Sequence, residues 1–210
     1  MSTKQKILDT ALDMFSKRGF SAVSVRDISY AVGVKESALY RHFKNKQDVF
    51  DTLVECYLKR SDSYFNNIGV LFSDDMAEMN RQADIYLHID NEQFMKIASG
   101  VFTDFLLKPD VIMFWRMISI EQYSNPKMAE IFNLHLFDKP LEFQRIFFGI
   151  LINKGGLKDY DPSILALEFY TPALILFLRI LPFEMNHPIV SESLDMYKKH
   201  ITNFRSMYFN

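Results

Sequence analysis

The chain has 210 residues, of which 49% are hydrophobic and 24% charged, and its net charge is −2 at pH 7. This length accommodates one or two domains, and the composition is that of an ordinary soluble globular protein. The single cysteine, Cys56, excludes an intrachain disulfide, so we expect a reducing compartment and a cytoplasmic protein.

Charge is distributed unevenly along the chain. Residues 1–50 contain nine Lys or Arg and five Asp or Glu, a net charge of about +4, which leaves about −6 for the remaining residues. A basic segment followed by an acidic one suits a protein that meets a polyanion with one end only.

The first predicted helices follow from caps and apolar spacing. Apolar residues recur at helical spacing over residues 3–18, and Gly19 ends that helix. Ser24 and Asp27 have the spacing of a capping box and predict the start of a second helix, which Gly33 ends.

A third helix is predicted over about 35–43, so that residues of about 25–44 form a helix-turn-helix motif. The sequence GVKESALYRHFKNKQDVF closely resembles the helix-turn-helix signature of the TetR family of transcriptional regulators. The residues that carry this resemblance are Gly33, Val34, Leu39, Tyr40, Phe43, Lys44 and Lys46. Lys35 stands where the family often has Ser, and a lysine cannot cap the third helix through a side-chain oxygen.

The polar face of the third helix predicts the contacts with double-stranded DNA. In helix-turn-helix proteins the second helix of the motif lies in the major groove and its first turns reach base edges. Arg41 can bind guanine with two hydrogen bonds, and Glu36 can accept one from cytosine. We expect residues 35–42 to enter the groove, and Ser24, Arg26, Tyr40 and Lys46 to hold phosphates. The predicted DNA-binding residues are Ser24, Arg26, Lys35, Glu36, Ser37, Ala38, Tyr40, Arg41, His42 and Lys46.

The rest of the chain is also predicted to be helical. Asn45 is the expected N-cap of a long fourth helix that joins head to body. Further helices are predicted over about 75–89, 92–107, 110–123, 126–136, 139–154, 163–181 and 189–208, with breaks at Pro and Gly residues such as Pro140. The predicted fold class is all-α: a three-helix DNA-binding head over 1–46 and a helical ligand-binding and dimerisation body over 47–210.

No catalytic or metal-binding pattern stands out, so we expect no enzyme activity, no metal and no cofactor. The five histidines lack the spacing of three or four residues that builds a metal site on a helix. The most apolar run, 164–181, contains Glu168, Pro172 and Arg179, and charges are costly in a bilayer. We therefore interpret it as a buried or dimer-facing helix and expect no membrane partner.

The last two predicted helices are expected to form a homodimer. Apolar residues of the last helix are spaced alternately four and three residues apart, as in a heptad seam. The resemblance to the TetR family also implies a four-helix bundle between two copies. The expected interface is Leu165, Phe169, Leu176, Ile180, Val190, Leu194, Tyr197, Ile201, Phe204 and Tyr208. The alternative is that this seam faces only the body of its own chain.

Apolar and aromatic residues of the body, with a few polar groups among them, predict a small-molecule site. Pro172 leaves the Glu168 carbonyl without its helical partner, and we expect the resulting kink to bring Glu168 close to Tyr170. The expected effector is apolar or aromatic, and cationic if Glu168 stays ionised. The expected pocket residues are Phe102, Phe105, Met113, Met117, Gln122, Tyr123, Gln144, Phe147, Leu151, Glu168, Tyr170 and Phe177. The alternative is a filled core in which Glu168 pairs with Arg145 or Arg179.

These expectations combine into a ligand-responsive transcriptional regulator. The leading hypothesis is a homodimeric repressor that a small effector releases from a palindromic operator, with the fourth helix as the lever. One alternative is an all-α small-molecule-binding or enzymatic module with a vestigial DNA-binding head. Another is a DNA-binding regulator that has no effector.

Overall fold

The computed structural model of the chain describes residues 1–67 and 76–210. The helices are α1 Thr3–Arg18, α2 Val25–Val32, α3 Glu36–Tyr40, α4 Lys46–Asn67, α5 Met76–His88, α6 Asn91–Gly100, α7 Pro109–Glu121, α8 Pro126–Asn133, α9 Lys139–Asn153, α10 Pro162–Ile180 and α11 Pro188–Tyr208. The described ranges contain no β-strand, only an isolated bridge between Leu157 and Phe209. The predicted all-α fold class is therefore confirmed.

The caps predicted in the head are present. Ser24 and Asp27 form a complete capping box at the start of α2. Gly33 ends α2 in the left-handed conformation, with φ 76° and ψ 32°, which glycine adopts at little cost. The side chain of Asn45 accepts a hydrogen bond from the Asp48 N–H at 2.9 Å, as expected for the N-cap of α4.

The prediction for the third helix was too long. α3 covers only Glu36–Tyr40, and Lys35 caps it without a side-chain hydrogen bond. At the other end, the His42 N–H donates to the Leu39 carbonyl at 2.9 Å, three residues back, which tightens the last turn and ends the α-helical pattern.

Two stretches predicted as ordinary helix contain π-helical turns. The predicted helix over 92–107 divides into α6 and a π-helical segment, Val101–Leu106. A second one, Leu134–Asp138, joins α8 to α9, so that the helical path continues through the break predicted at Pro140. Proline is tolerated there because it occupies the first turn of α9. The predicted start of a helix at residue 75 lies outside the described residues.

The chain divides into two compact units. Unit 1 comprises Met1–Ser63 and Pro109–Phe132, and unit 2 comprises Tyr64–Lys108 and Asn133–Asn210. This division does not coincide with the expected boundary after residue 46, because most of α4 together with α7 and nearly all of α8 belongs with the head.

Aromatic packing explains why α4 and α7 share unit 1. Trp115 Nε1 donates a hydrogen bond to the Tyr57 hydroxyl at 2.8 Å, and the Tyr57 ring stacks on Phe114. Burial raises the pKa of Tyr57 well above its usual range. Nearer the N-terminus, the rings of Phe15, Phe20 and Phe50 contact one another with centroids 5.1–5.7 Å apart. Buried aromatic side chains of this size supply much of a small core.

Unit 2 has its own core, built from α5, α9, α10 and α11. Its buried residues include Phe147, Phe148, Leu151, Leu165 and Phe204. By length and composition alone α10 could cross a membrane, but the core helix of a soluble protein passes the same test. The burial of Leu165 in this cluster favours a core helix.

Candidate nucleic-acid interface and partner surfaces

The recognition motif presents its polar side chains outwards. Leu39 and Phe43 are buried in unit 1, which fixes the orientation of α3. The predicted contact residues on the opposite side are exposed: Arg26, Lys35, Glu36, Ser37, Tyr40, Arg41 and His42. Ala38 is half-buried. The exposed set offers cationic, imidazole, carboxylate and hydroxyl groups of the kinds that contact phosphates and base edges.

Ser24 is exposed, but its hydroxyl serves the cap of α2. Ser24 Oγ accepts a hydrogen bond from the Asp27 N–H at 3.1 Å and donates one to Asp27 Oδ2 at 2.8 Å. Hydrogen bonds from the Ser24 N–H and hydroxyl hold the pKa of Asp27 below its ordinary value, and the nearby charges of Arg18 and Arg26 act in the same direction.

The Lys46 ammonium, which we expected to bind a DNA phosphate, lies against backbone carbonyls of the head. It donates to the carbonyl of Phe20 and to that of Val23, both at 2.7 Å, and lies 4.1 Å from the centre of the Phe20 ring. Two of its three donors are thus engaged by the turn between α1 and α2. The phosphate contact stays a prediction, and this turn offers two convergent carbonyls that no linear pattern reveals.

Two exposed residues of the head were absent from the expected DNA contacts. Tyr30 is 88% exposed and follows Arg26 by four residues on α2, so both side chains share one face of that helix. Lys44 is exposed immediately before α4. The spacing of four residues from Arg26 could have identified Tyr30 as a further candidate DNA contact.

Most of the predicted dimer seam is buried inside unit 2, as the alternative expectation requires. Most of the ten residues are already covered within one chain: Leu165, Leu176, Ile180, Val190, Tyr197, Ile201 and Phe204 are buried, while Phe169, Leu194 and Tyr208 are half-buried. The reason is packing within the unit. Phe204 contacts Phe148 and Phe169, and Tyr197 stacks on Phe102.

The opposite faces of the last two helices expose large apolar side chains. On α10 these are Ile164, Leu167 and Ile175, and on α11 they are Met196 and Met207. We call these five residues the α10–α11 apolar strip. The two helices are joined within the unit by the Arg179–Glu192 ion pair at 3.1 Å. A monomer rarely leaves a row of large apolar side chains in water without a use for it.

The residues expected to form an effector pocket fall in both units. Phe102, Phe105, Gln144, Phe147, Leu151, Glu168, Tyr170 and Phe177 lie in unit 2, and Met113, Met117, Gln122 and Tyr123 lie in unit 1. Among those in unit 2, five apolar residues are buried: Phe102, Phe105, Phe147, Leu151 and Phe177.

Two of the polar residues do not line an interior. Tyr123 is 88% exposed, because it lies beyond the end of α7. Glu168 is exposed and accepts a hydrogen bond from the Tyr208 hydroxyl, so it pairs neither with Arg145 nor with Arg179. Those arginines bind Glu142 and Glu192 instead.

The expected approach of Glu168 to Tyr170 is also corrected. Residues two apart on a helix point to different sides. The Tyr170 hydroxyl donates to the Leu136 carbonyl at 2.9 Å, inside unit 2, and burial raises the pKa of this tyrosine well above its usual range.

Two tyrosines, Tyr170 and Tyr197, contact the π-helical turns of unit 2 or the residues beside them. The bond from Tyr170 ends on the segment Leu134–Asp138. Tyr197 donates to the Ala98 carbonyl at 2.8 Å, and its ring stacks on Phe102 of the segment Val101–Leu106. π-Helical turns occur often at functional sites. Within the described part of the chain, Gln144 Oε1 is buried and has no hydrogen-bond partner.

Metal binding finds no support in the described ranges, where no group of three or more His, Cys, Asp or Glu side chains could hold an ion. Among its described residues, the interior of unit 2 offers aromatic rings, tyrosine hydroxyls and the unpaired amide oxygen of Gln144. Those groups suit an organic molecule.

Comparison with known sequences places the similarity in the head. Residues 7–53 match the family described as bacterial regulatory proteins, tetR family. IcaR of Staphylococcus aureus, the negative transcriptional regulator of the biofilm operon icaADBC, is 35% identical over 65 residues, which cover 31% of this chain and 33% of IcaR. AcrR of Shigella flexneri, a helix-turn-helix transcriptional regulator, is 47% identical over 53 residues, 25% of each chain. These matches thus cover a third or less of the length of these relatives.

Comparison with solved structures extends over the whole fold. SmeT, the repressor of the Stenotrophomonas maltophilia multidrug efflux pump SmeDEF, has been solved in complex with triclosan. That complex superposes on this chain with a TM-score of 0.58 at 16% identity, covering 100% of this chain and 93% of SmeT. At this identity the likeness concerns the fold.

Proposed function

We propose that the chain is a helix-turn-helix transcriptional regulator of the TetR family, a dimeric repressor that leaves its operator when a small molecule binds unit 2. The observation that carries the proposal is the outward face of α3 on a head whose α2 is capped at both ends, within the stretch that matches the family. The characterised relatives IcaR and AcrR are transcriptional regulators. We place this activity in the cytoplasm.

The proposed dimer uses the α10–α11 apolar strip in place of the buried seam. Two copies related by a two-fold axis bring the same strip of each chain together, which is the arrangement of most homodimers. Such a dimer presents two recognition helices about one DNA turn apart, roughly 34–36 Å, and therefore requires an approximately palindromic operator.

The proposed effector is a mainly apolar or aromatic molecule with at least one hydrogen-bond donor. The buried rings of Phe102 and Phe147 supply aromatic contact area, and the unpaired Gln144 oxygen calls for a donor. The triclosan bound by SmeT is a ligand of that other protein, and it serves here as a first compound to test. Because Glu168 is exposed and bonded to Tyr208, the proposal no longer includes a cationic effector.

The test begins with selection of duplexes from a random DNA library by the unaltered protein, followed by footprinting on the enriched duplex. We expect an inverted repeat protected on one face. A variant carrying both Lys35→Ala and Arg41→Ala, two exposed changes that leave the core untouched, serves as the control and should enrich nothing. Failure of the unaltered protein to enrich any duplex would favour the module with a vestigial head.

The effector part of the proposal has a separate measurement. A panel of apolar phenols, with triclosan included, is titrated while thermal unfolding and duplex release are followed. Gln144→Leu keeps the volume of the side chain and removes the acceptor, so it should weaken the response to donors more than to fully apolar compounds. If no compound stabilises the protein or releases DNA, the regulator without an effector becomes the better description.

A further inference from the structure

The backbone of Phe20 is held from two sides in the turn that joins α1 to α2. Its N–H donates to Glu121 Oε1 at 2.7 Å, and its carbonyl accepts from Lys46 Nζ at 2.7 Å. Both bonds have one charged partner, and such bonds are about twice as strong as neutral ones. We call Glu121 and Lys46 the Phe20 clamp.

Glu121 is the last residue of α7, and it is only 8% exposed. A Cβ atom on Gly19 would lie 3.2 Å from its Oε1, so the end of α7 packs closely on this turn. Gly19 itself has φ 75°, a conformation that side chains rarely adopt. The close approach of the carboxylate thus depends on the glycine that ends α1.

Lys46 is the first residue of α4. Besides Phe20 it bonds the Val23 carbonyl at 2.7 Å, and its ammonium lies over the Phe20 ring. Val23 is buried and directly precedes Ser24, the N-cap of α2. The clamp therefore connects the end of α7 and the start of α4 to the residue where the helix-turn-helix motif begins.

We propose that Glu121 and Lys46 are positioning residues that set the orientation of the helix-turn-helix motif for operator binding. Only three residues separate Phe20 from Ser24, so a shift of this turn moves the start of α2. α7 begins at Pro109, immediately after the first segment of unit 2 ends at Lys108. The chain therefore leads from unit 2 directly into α7, whose last residue belongs to the clamp. The inference rests on the proposed operator binding.

The clamp and a phosphate contact make different predictions for Lys46. A phosphate contact contributes about 0.9 to the slope of log K against log salt concentration, because counterions are released. A positioning residue changes the affinity and leaves that slope unchanged. The two residues of a clamp on one backbone are also energetically coupled, whereas independent contacts add.

The experiment measures binding to the duplex enriched by the unaltered protein, over a series of salt concentrations. The variants are Glu121→Ala, Lys46→Met and their combination. Glu130→Ala and Lys35→Met are matched controls, since Glu130 and Lys35 are exposed. Amide hydrogen exchange of residues 19–24 is followed in parallel, and circular dichroism verifies folding.

We expect Glu121→Ala and Lys46→Met each to weaken binding about tenfold with an unchanged slope. The double variant should also be about tenfold weaker, not a hundredfold. Amide exchange near Phe20 should accelerate in these variants and stay unchanged in both controls. Lys35→Met should flatten the slope by about 0.9. Should Glu121→Ala not fold, Lys46→Met carries the test beside Glu121→Gln, which keeps an oxygen acceptor and should bind within about threefold of the unaltered protein.

The opposite results overturn the clamp. One such result is a salt slope that Lys46→Met flattens as much as Lys35→Met does. Another is a double variant whose loss of affinity is the product of the two single losses. A third is an amide exchange rate near Phe20 that stays unchanged in the variants. If the unaltered protein enriches no duplex, operator binding itself is refuted and the clamp falls with it. If the unaltered protein enriches a duplex and the clamp variants bind that duplex as tightly as the unaltered protein does, the clamp alone is refuted.

Discussion

The recognition motif and the last two helices both carry strong patterns in sequence, but only the first pattern indicates which face is exposed. In the head, Ser24, Asp27 and Gly33 act on their own backbone, and the structure contains each cap as predicted. In α11, residues such as Ile201 and Phe204 repeat like a dimer seam, yet they are buried within their own unit. A cap is a local interaction, whereas an apolar face needs a partner that spacing cannot identify.

The face of α11 that does remain exposed is the less regular one. Its apolar members, Met196 and Met207, are separated by polar residues, so no heptad pattern marks them. On α10, Leu167 and Ile175 are exposed although the helix is apolar on nearly every side. The comparison can therefore be tested by changing the buried face and the exposed face separately.

The largest expected effect is on the buried face. Ile201→Glu places a carboxylate at a position with 0% exposure, among apolar side chains. We expect it to destabilise unit 2 by at least about 4 kcal/mol, because a buried charge without a partner is among the most damaging changes. Circular dichroism and thermal unfolding measure this loss.

The outcome of that change also decides between the two faces. A folded but monomeric Ile201→Glu protein would restore the heptad seam as the dimer interface. As a control, Asp195→Glu on the same helix is an exposed and conservative change that should leave the melting temperature unaffected.

A second prediction concerns the exposed α10–α11 apolar strip. Leu167→Glu combined with Ile175→Glu should leave the fold intact and weaken the dimer by about 3 kcal/mol, roughly a hundredfold in its dissociation constant. Analytical ultracentrifugation over a range of concentrations measures this constant. The control is Ile85→Glu, an exposed apolar position on α5. A dimer of unchanged affinity would exclude this strip as the interface.

The difference between local interactions and contacts across long stretches of chain also explains which features could be predicted from the sequence. The helices and the all-α class follow from periodicity and caps, which act within one turn or two. The roles of Lys46 and Glu121 could not be predicted, because they meet the Phe20 backbone across 26 and 101 residues of chain. Glu168 was misplaced for a similar reason, since its partner Tyr208 lies 40 residues away.

The π-helical turns were missed as well. Nothing in the composition of Val101–Leu106 or Leu134–Asp138 distinguishes them from ordinary helix, and the widening accompanies hydrogen bonds from distant tyrosines. The DNA-facing residues were easier to predict, because burial of Leu39 and Phe43 leaves only one face of α3 free.

A third prediction tests that exposed face of α3. Arg41→Ala should cost about 2 kcal/mol against the preferred base at one position of the operator, and leave binding to duplexes altered there nearly unchanged. Competition binding with a set of single-base operator variants measures the loss of preference. His42→Ala on the neighbouring exposed position is the comparison, and an equal loss at every base would indicate that Arg41 contacts phosphate only.

The smallest expected effect concerns the cap at which the head motif begins. Ser24→Ala removes the oxygen that accepts from the Asp27 N–H, and we expect a loss of about 1 kcal/mol in the unfolding free energy of the head. The same hydroxyl helps to lower the pKa of Asp27, so the variant should raise that pKa towards its ordinary value of 3.8. A lowered pKa in the folded state stabilises the fold above the ordinary value and ceases to do so as the pH falls through the folded value. Thermal unfolding of both proteins from pH 7 to pH 3 should therefore show a difference that is constant near neutrality and narrows below about pH 4. A gap that stays the same down to pH 3 would indicate that the Ser24 hydroxyl acts on the helix backbone alone and that its bond to the Asp27 carboxylate does not stabilise the head.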